Sequence, residues 1–118
     1  MTSTTPTCPP LLRDQDLWQG LQHAGCIRVP LLPPSAVDQL LQAFAHFHPT
    51  LPSGGFISST YSPDLRYKQA VSDCITEIVR PHLDSLFVNH RILGAAFLYK
   101  MPGPQSALPM HQDWTVVD

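Results

Sequence analysis

Apolar residues recur three and four positions apart in three stretches of the chain, and this spacing predicts three helices. The first helix is expected from Asp14 to Ala24 and to stop at Gly25. The second is expected to open at Pro34, with Ser35 as its N-cap. The predicted buried positions are Leu17, Trp18, Leu21 and Ala24 in the first helix and Val37, Leu40, Leu41, Phe44 and Phe47 in the second.

The third stretch has the longest helical pattern and begins at Ser62-Pro63. Pro81 lies inside it and is expected to kink or divide the helix, because proline lacks the backbone donor that the preceding turn requires. The predicted buried positions are Tyr67, Ala70, Val71, Cys74, Ile75, Ile78, His82, Leu83 and Leu86.

Extended structure is predicted between and after the helices. Residues 48–62 contain several prolines and glycines and are predicted to form a loop. After Asn89-His90 the pattern becomes apolar and aromatic, which is typical of a buried strand. The predicted strands and extended segments are 26–29, 92–99, 108–113 and 114–118. Helices that come first and strands that come late predict an α+β fold.

Length and charge exclude several classes of protein. The 118 residues suit one domain, preceded by a Thr- and Pro-rich tail at residues 1–10 that is expected to be disordered. Charged residues make up 14% of the chain and the net charge is −2, so neither a nucleic acid nor an anionic membrane is an expected partner. No signal peptide and no apolar run of bilayer length is visible, so we expect a soluble, cytoplasmic protein.

The three cysteines lie far apart, at Cys8, Cys26 and Cys74. An odd number without close spacing argues against a disulfide framework or a structural zinc site. Cys26 and Cys74 are predicted to be small, buried core residues.

His111-Gln112-Asp113 is the triplet with the most specific chemistry. On a strand, residues two apart point to the same face, so one imidazole and one carboxylate can reach the same ion. These two groups are two-thirds of the facial triad that non-haem Fe(II) oxygenases use. The spacing alone also fits a surface polar pair on a strand, and both interpretations stay open at this point.

The segment before the triplet has a strand that ends in Lys100, a turn at Pro102-Gly103, and then His-Gln-Asp-Trp at residues 111–114. This arrangement resembles the phytanoyl-CoA dioxygenase family, specifically over residues 92–118 and only generally before them. Residues 25–30 are similar to that family's entry strand, although Cys26 stands where an aromatic residue is commoner. The resemblance implies a double-stranded β-helix (jelly-roll) core, Fe(II), 2-oxoglutarate, dioxygen, and hydroxylation of a small-molecule substrate.

The resemblance also implies roles for single residues. His111 and Asp113 match two iron ligands, and Asp113 favours hydroxylation, since relatives that halogenate have a small residue at this position. Trp114 would flank the site, and the alternative is a core aromatic residue. Lys100 would point toward the co-substrate or the substrate, and the alternative is a solvated lysine at a strand end.

The family pattern continues with a distal His and a later Arg, and neither follows Asp113 in this sequence. Residues 11–118 are therefore expected to be the front part of a truncated domain, whose C-terminal half is missing. Such a fragment is expected to be poorly stable alone, because a jelly roll needs about eight strands to cover its faces and edges. Of the earlier histidines, His90 precedes a predicted strand and could approach the site.

Three functional hypotheses follow from the sequence. The first is an enzyme, an Fe(II)/2-oxoglutarate-dependent dioxygenase of which this chain is the N-terminal part. The second is a non-catalytic fragment that acts as an interaction module by pairing its exposed strand edges with another chain. The third is a metal site completed by a histidine from a second copy of the chain.

Overall fold

The computed structural model of the protein describes residues 8–110. Over these residues three helices accompany a two-stranded antiparallel sheet, so the predicted α+β class is confirmed. The elements in chain order are α1 (Gln15–Ala24), α2 (Pro34–Phe47), β1 (Phe56–Ser58), α3 (Leu65–Leu86) and β2 (Leu98–Lys100), with single 3₁₀ turns at Ser59–Tyr61 and Pro104–Ser106. Most of the predicted N-terminal tail (1–7) and the predicted extended segment from 111 onward lie outside the described residues.

Helix α1 begins and ends at residues that cap it. The Asp14 carboxylate accepts a hydrogen bond from the Leu17 backbone N–H at 3.0 Å, which satisfies one free donor of the first turn. At the other end Gly25 has φ 76°, a left-handed conformation, and its N–H donates to the Leu21 carbonyl at 2.8 Å. The predicted extent of this helix and its stop at Gly25 are confirmed.

Substitution by alanine should have opposite effects on stability at two glycines of this region. Gly25→Ala is expected to cost about 1–2 kcal/mol, because an L-residue is strained in the left-handed region. Gly20→Ala is expected to stabilise the protein by about 0.5–1 kcal/mol, because alanine favours the helix. Its Cβ would meet the Ile27 Cγ2 at 3.6 Å, an ordinary contact. Urea unfolding of both variants measures the difference, and a Gly25→Ala protein as stable as the parent would contradict the left-handed cap.

The segment before α1 attaches this helix to the end of α3. Leu12 is buried and forms an isolated antiparallel bridge with Phe87, and the Leu11 carbonyl accepts a hydrogen bond from the Val88 N–H at 2.9 Å. Helix α1 itself contains no buried residue. The apolar stripe of α1 is thus only partly covered: Leu17, Trp18 and Leu21 are half-buried and Ala24 is exposed. Backbone pairing of the preceding segment adds to the attachment.

Residues 26–29 do not form the predicted strand. No strand within residues 8–110 lies beside them to accept their backbone hydrogen bonds. Arg28 and Val29 instead line an open groove of about 310 Å³ together with Asp14 and Leu17 of the first helical region. Cys26 is exposed, so its predicted place in the core is also wrong, whereas Cys74 is half-buried.

Helix α2 begins with two prolines. Pro33 is the N-cap, with extended backbone, and Pro34 occupies the first helical position, where a missing backbone donor has no cost. Ser35 therefore lies inside the first turn, and its predicted role as the N-cap is wrong. The residue of α2 that the fold buries is Ala36, which was not predicted.

The predicted buried side of α2 is only partly confirmed. Leu40, Phe44 and Phe47 are half-buried, whereas Val37 and Leu41 are exposed. Val37 is 42% exposed and Leu41 is 62% exposed, so the described residues cover this face only in part. This face is therefore an apolar surface of the described part of the chain.

Helix α3 spans 22 residues and continues through Pro81. Of the two predicted effects of this proline, a kink or a division, the division is therefore wrong. It begins two residues later than expected, after Asp64, whose carboxylate accepts hydrogen bonds from the Arg66 and Tyr67 N–H groups at 3.0 and 3.1 Å. Pro81 is exposed, so water can reach the Glu77 carbonyl that the proline leaves without its helical donor.

The core lies mainly between α2 and α3. Val71 and Ile75, one helical turn apart on α3, are buried as predicted, and Val71 has no exposed surface. Ala36 of α2 and Leu12 complete the buried apolar residues of the described chain. Ala70, which was also predicted to be buried, is exposed. Four buried apolar side chains make a small core, so each of them matters for stability.

Strands β1 and β2 come from distant parts of the chain. Strand β1 lies inside residues 48–62, which were predicted to be loop only, and β2 covers just the end of the predicted strand 92–99. The antiparallel register pairs Phe56 with Lys100, Ile57 with Tyr99 and Ser58 with Leu98. The sheet was hard to predict because three-residue strands carry almost no periodic pattern.

Serine hydroxyls hold residues 95–97 where a neighbouring strand would otherwise pair. The Ala95 N–H donates to the Ser72 hydroxyl at 3.1 Å, and the Phe97 N–H donates to the Ser59 hydroxyl at 3.1 Å. The Ser59 N–H in turn donates to the Phe97 carbonyl at 3.0 Å. These bonds fix the approach of the chain to β2 on the side of α3.

Candidate functional site

Lys100 ends β2 on the face of the sheet that the helices leave open. Successive side chains of a strand point to opposite faces. Tyr99 packs against Phe44 of α2, with ring centroids 5.2 Å apart, so Leu98 and Lys100 point away from the helices. Leu98 is 63% exposed and Lys100 is also exposed. Lys100 is therefore accessible to a ligand on the helix-free face of the sheet.

The turn after β2 depends on a glycine. The Met101 N–H donates to the Gly55 carbonyl at 2.9 Å and extends the ladder by one pair. Gly103 then adopts φ 117°, and a Cβ on it would come within 3.0 Å of the Gln105 Oε1 atom. Only glycine fits this position without strain. The Pro-Gly turn identified in the sequence therefore redirects the chain immediately after Lys100.

A buried serine anchors the chain after this turn. Ser106 is 1% exposed, and its hydroxyl donates to the Gly55 carbonyl and accepts from the Gly55 N–H, both at 3.1 Å. Sequence analysis did not identify Ser106, since a lone serine in a Pro- and Gly-rich stretch carries no pattern. Its two bonds fix the segment that leads to the His-Gln-Asp triplet against the start of β1.

The predicted ligands His111 and Asp113 and the flanking Trp114 lie outside the described residues. Within residues 8–110, no three His, Cys, Asp or Glu side chains are grouped so as to hold a metal ion. The described histidines therefore do not assemble a metal site among themselves.

His90 precedes the predicted strand 92–99 and was expected to be able to approach the site. In the structure it contacts a carboxylate. Its Nε2 atom lies 3.0 Å from the Asp84 Oδ1 atom, and its ring is 5.7 Å from that of Phe87. These contacts hold the imidazole at the end of α3.

His48 and Tyr67 form the best-defined polar pair of the described chain. The His48 Nδ1 atom lies 2.8 Å from the Phe44 carbonyl oxygen, an acceptor, so Nδ1 carries the proton. With Nδ1 as the donor, the Nε2 atom accepts the hydrogen bond that the Tyr67 hydroxyl donates, with 2.5 Å between the two heavy atoms. His46, in the last turn of α2, is exposed.

Burial raises the pKa of the Tyr67 hydroxyl above its ordinary value near 10, and the neighbouring Tyr99 adds to this effect. The unfolded chain therefore loses the Tyr67 proton at a lower pH than the folded protein does. The contribution of Tyr67 to stability is present below about pH 10 and is lost as the pH rises through the folded-state pKa.

Tyr67→Phe is accordingly expected to weaken the alkaline loss of stability. The variant should lose less of its free energy of unfolding than the parent between about pH 9 and 11. Tyr61→Phe is the matched control, because Tyr61 is 85% exposed and its replacement should leave the pH dependence unchanged. Urea unfolding at a series of pH values measures all three proteins, and parallel curves for parent and Tyr67→Phe would contradict the assignment.

Two open grooves lie beside the aromatic residues and α3. The larger has about 660 Å³ and the smaller about 380 Å³. The larger is lined by Ser59, Ser72 and Lys68 among others, and the smaller by Tyr67, Tyr99 and Ser62 among others. Lys100 lines neither of them.

No helix in the described part of the chain is both long and apolar enough to cross a membrane. Comparison with known proteins gave no match: no family model, no curated protein and no solved structure is detectably similar to this chain.

Proposed function

We propose that this chain forms the front part of an Fe(II)- and 2-oxoglutarate-dependent oxygenase of the phytanoyl-CoA dioxygenase type. The observation that carries the proposal is the His111-Gln112-Asp113 triplet, which follows a strand ending in Lys100 and a Pro-Gly turn. An imidazole and a carboxylate two residues apart are the donors that a non-haem Fe(II) site takes from one strand.

The helix-free face of the sheet supports a jelly-roll core. Helix α2 covers the face that carries Tyr99, and the opposite face presents Leu98 and Lys100. A jelly roll consists of two sheets packed face to face. The exposed face of β1 and β2 is therefore the side on which a second sheet would pack, with Lys100 toward the interior.

The free edge of β2 also supports a jelly-roll core. One backbone hydrogen bond joins the Met101 N–H to the Gly55 carbonyl, and another joins the Ser59 N–H to the Phe97 carbonyl. Gly55 with Met101 and Ser59 with Phe97 therefore occupy hydrogen-bonding positions of the ladder, and Ile57 with Tyr99 lies between them as a third such pair. The N–H and carbonyl groups of Leu98 and Lys100 then point away from β1. No strand within residues 8–110 pairs with them, and a further strand could continue the sheet there.

Different residues of this chain would have different roles in the site. His111 and Asp113 would hold Fe(II), which together with 2-oxoglutarate and dioxygen supplies the oxidising chemistry for hydroxylating a small molecule. Asp113 would occupy a metal position, which favours hydroxylation over halogenation. The Lys100 ammonium group would attract a carboxylate of the co-substrate or substrate, and Trp114 would limit the access of water to the metal.

The test is Fe(II)-dependent conversion of 2-oxoglutarate to succinate by the purified whole domain, of which this chain is the proposed front part. We expect turnover that His111→Ala and Asp113→Ala each abolish. His46→Ala and Asp38→Ala are the matched controls, because both residues are exposed on α2 and should leave turnover unchanged. Turnover that survives in both ligand variants would contradict the proposed roles of His111 and Asp113.

A second candidate function is an interaction module that pairs the free edge of β2 with a strand of another chain. The outward-pointing backbone groups of Leu98 and Lys100 favour it, together with the exposed Leu98 side chain. Leu98→Pro removes an outward donor and spares the bonds to β1. If this candidate is correct, sedimentation will show self-association of the parent that Leu98→Pro suppresses. A monomeric parent at all concentrations would count against it.

A further inference from the structure

The His48–Tyr67 pair has a fixed direction of proton donation. Because the His48 Nδ1–H is committed to the Phe44 carbonyl at 2.8 Å, the free lone pair of the ring is on Nε2. That lone pair faces the Tyr67 hydroxyl at 2.5 Å. A phenol and a base at this separation are within the reach that proton transfer requires.

Aromatic rings surround the base of this pair. The His48 ring lies 4.5 Å from that of Phe44, 5.1 Å from that of Tyr99 and 5.9 Å from that of Phe97, centroid to centroid. A cation within about 6 Å of an aromatic ring is attracted by its π-electrons. The cluster therefore favours a positive charge on His48 after it has gained a proton.

We propose that Tyr67 and His48 form a redox-active pair that accepts an oxidising equivalent and passes its proton internally. When a one-electron oxidant removes an electron from the Tyr67 ring, the hydroxyl proton moves to the Nε2 atom of His48. The products are a neutral tyrosyl radical, a His48 imidazolium and the reduced oxidant. A thiol or ascorbate then returns one electron, and the imidazolium returns the proton to Tyr67.

The surroundings of the three tyrosines indicate that Tyr67 is the one that is oxidised. Tyr61 is 85% exposed, and no hydrogen bond joins its hydroxyl to a base among the described residues. Tyr99 contacts the His48 ring by its face or edge, and no such bond joins its hydroxyl to Nε2. Only Tyr67, among the three, has a base in place to take its proton as the electron leaves.

The use of such a pair follows from the proposed oxygenase function, on which this part of the inference rests. Oxygen activation without substrate releases oxidants such as the hydroxyl radical, which takes one electron and becomes hydroxide. Tyr99, in contact with His48, is the direct neighbour of Lys100 on β2. Tyr67 and His48 would thus consume oxidants close to the strand that leads to the metal ligands.

The experiment uses metal-free protein, so its outcome is independent of the oxygenase proposal. A ruthenium polypyridyl photosensitiser with a cobalt(III) quencher oxidises the protein after a laser flash, and the tyrosyl radical is followed by its visible absorption. We expect a fast phase of radical formation that Tyr67→Phe removes and Tyr61→Phe leaves unchanged. His48→Gln keeps a hydrogen-bond acceptor but not a base, and it should slow this phase about 100-fold, the scale of general-base catalysis.

Two results would overturn the inference. One is a fast phase that Tyr61→Phe removes and Tyr67→Phe does not. The other is an unchanged rate in His48→Gln with the circular dichroism of the parent. If a variant does not fold, the rate of radical formation in the parent protein is compared in D₂O and H₂O. We expect a slower rate in D₂O, and equal rates would exclude coupled proton transfer.

Discussion

Val71→Asp is expected to unfold the protein. Val71 has no exposed surface and lies on α3 in a core of four buried apolar side chains. A carboxylate at this position would be buried without a partner, at a cost of several kcal/mol. Small domains have only about 5–15 kcal/mol of stability in total, and a core of this size places the protein toward the lower end.

Val37→Asp is the matched control for this prediction. The same substitution is made on α2, where Val37 is 42% exposed and lies near the positive end of the helix dipole. We expect a change in stability within about 0.5 kcal/mol. Far-UV circular dichroism during urea unfolding measures both variants. A folded Val71→Asp protein, with a midpoint close to that of Val37→Asp, would contradict the proposed core.

His111→Ala and Asp113→Ala are each expected to lower the affinity for Fe(II) by at least about 100-fold. Loss of an outer partner of a metal ligand already costs up to about 100-fold, and loss of the ligand itself should cost no less. Both residues contribute a donor atom to the same ion in the proposed site, so their effects should be similar. Anaerobic isothermal titration calorimetry with Fe(II) measures the three proteins.

Controls for this titration come from residues of the same type. His90→Ala removes an imidazole that the Asp84 carboxylate holds at the end of α3, and Asp38→Ala removes an exposed carboxylate of α2. Neither should change the affinity for Fe(II). If His90→Ala weakened binding as much as His111→Ala did, His90 would be a ligand, and the assignment of the site would need revision.

The helices were predictable because each carries a local pattern. Asp14 and Gly25 enclose α1, and the spacing of Val71 and Ile75 on α3 identified the buried side of the longest helix. What the pattern could not predict is the depth of burial, since Val37 and Leu41 have the right spacing on α2 but are 42% and 62% exposed. Periodicity shows which side of a helix is apolar but not what covers it.

The sheet was harder to predict because its pairing is not local. Phe56 and Lys100 lie more than a third of the chain apart, and neither three-residue strand shows enough alternation to be recognised. The serines that replace strand pairing, Ser59, Ser72 and Ser106, were also missed. Their role depends on which backbone groups come close in three dimensions, which no local rule gives.

The candidate site, like the fold, was predictable from the sequence only in part. The strand end at Lys100 and the Pro-Gly turn were expected from the sequence, and the structure adds which face of the sheet Lys100 occupies. The pairing of His48 with Tyr67 was not expected, because a histidine at a helix end and a tyrosine in the next helix share no motif. The roles of His111, Asp113 and Trp114 remain predictions from the sequence.

The most direct test of the oxygenase proposal is an anaerobic titration of the purified whole domain, of which this chain is the proposed front part, with Fe(II) and then 2-oxoglutarate. A 2-oxoacid that chelates protein-bound Fe(II) produces a visible charge-transfer absorption, which needs neither substrate nor turnover. We predict that this absorption appears with the parent protein and with Asp38→Ala and is lost in His111→Ala and Asp113→Ala. Its absence from the parent at saturating Fe(II), or its persistence in both ligand variants, would contradict the proposed metal site.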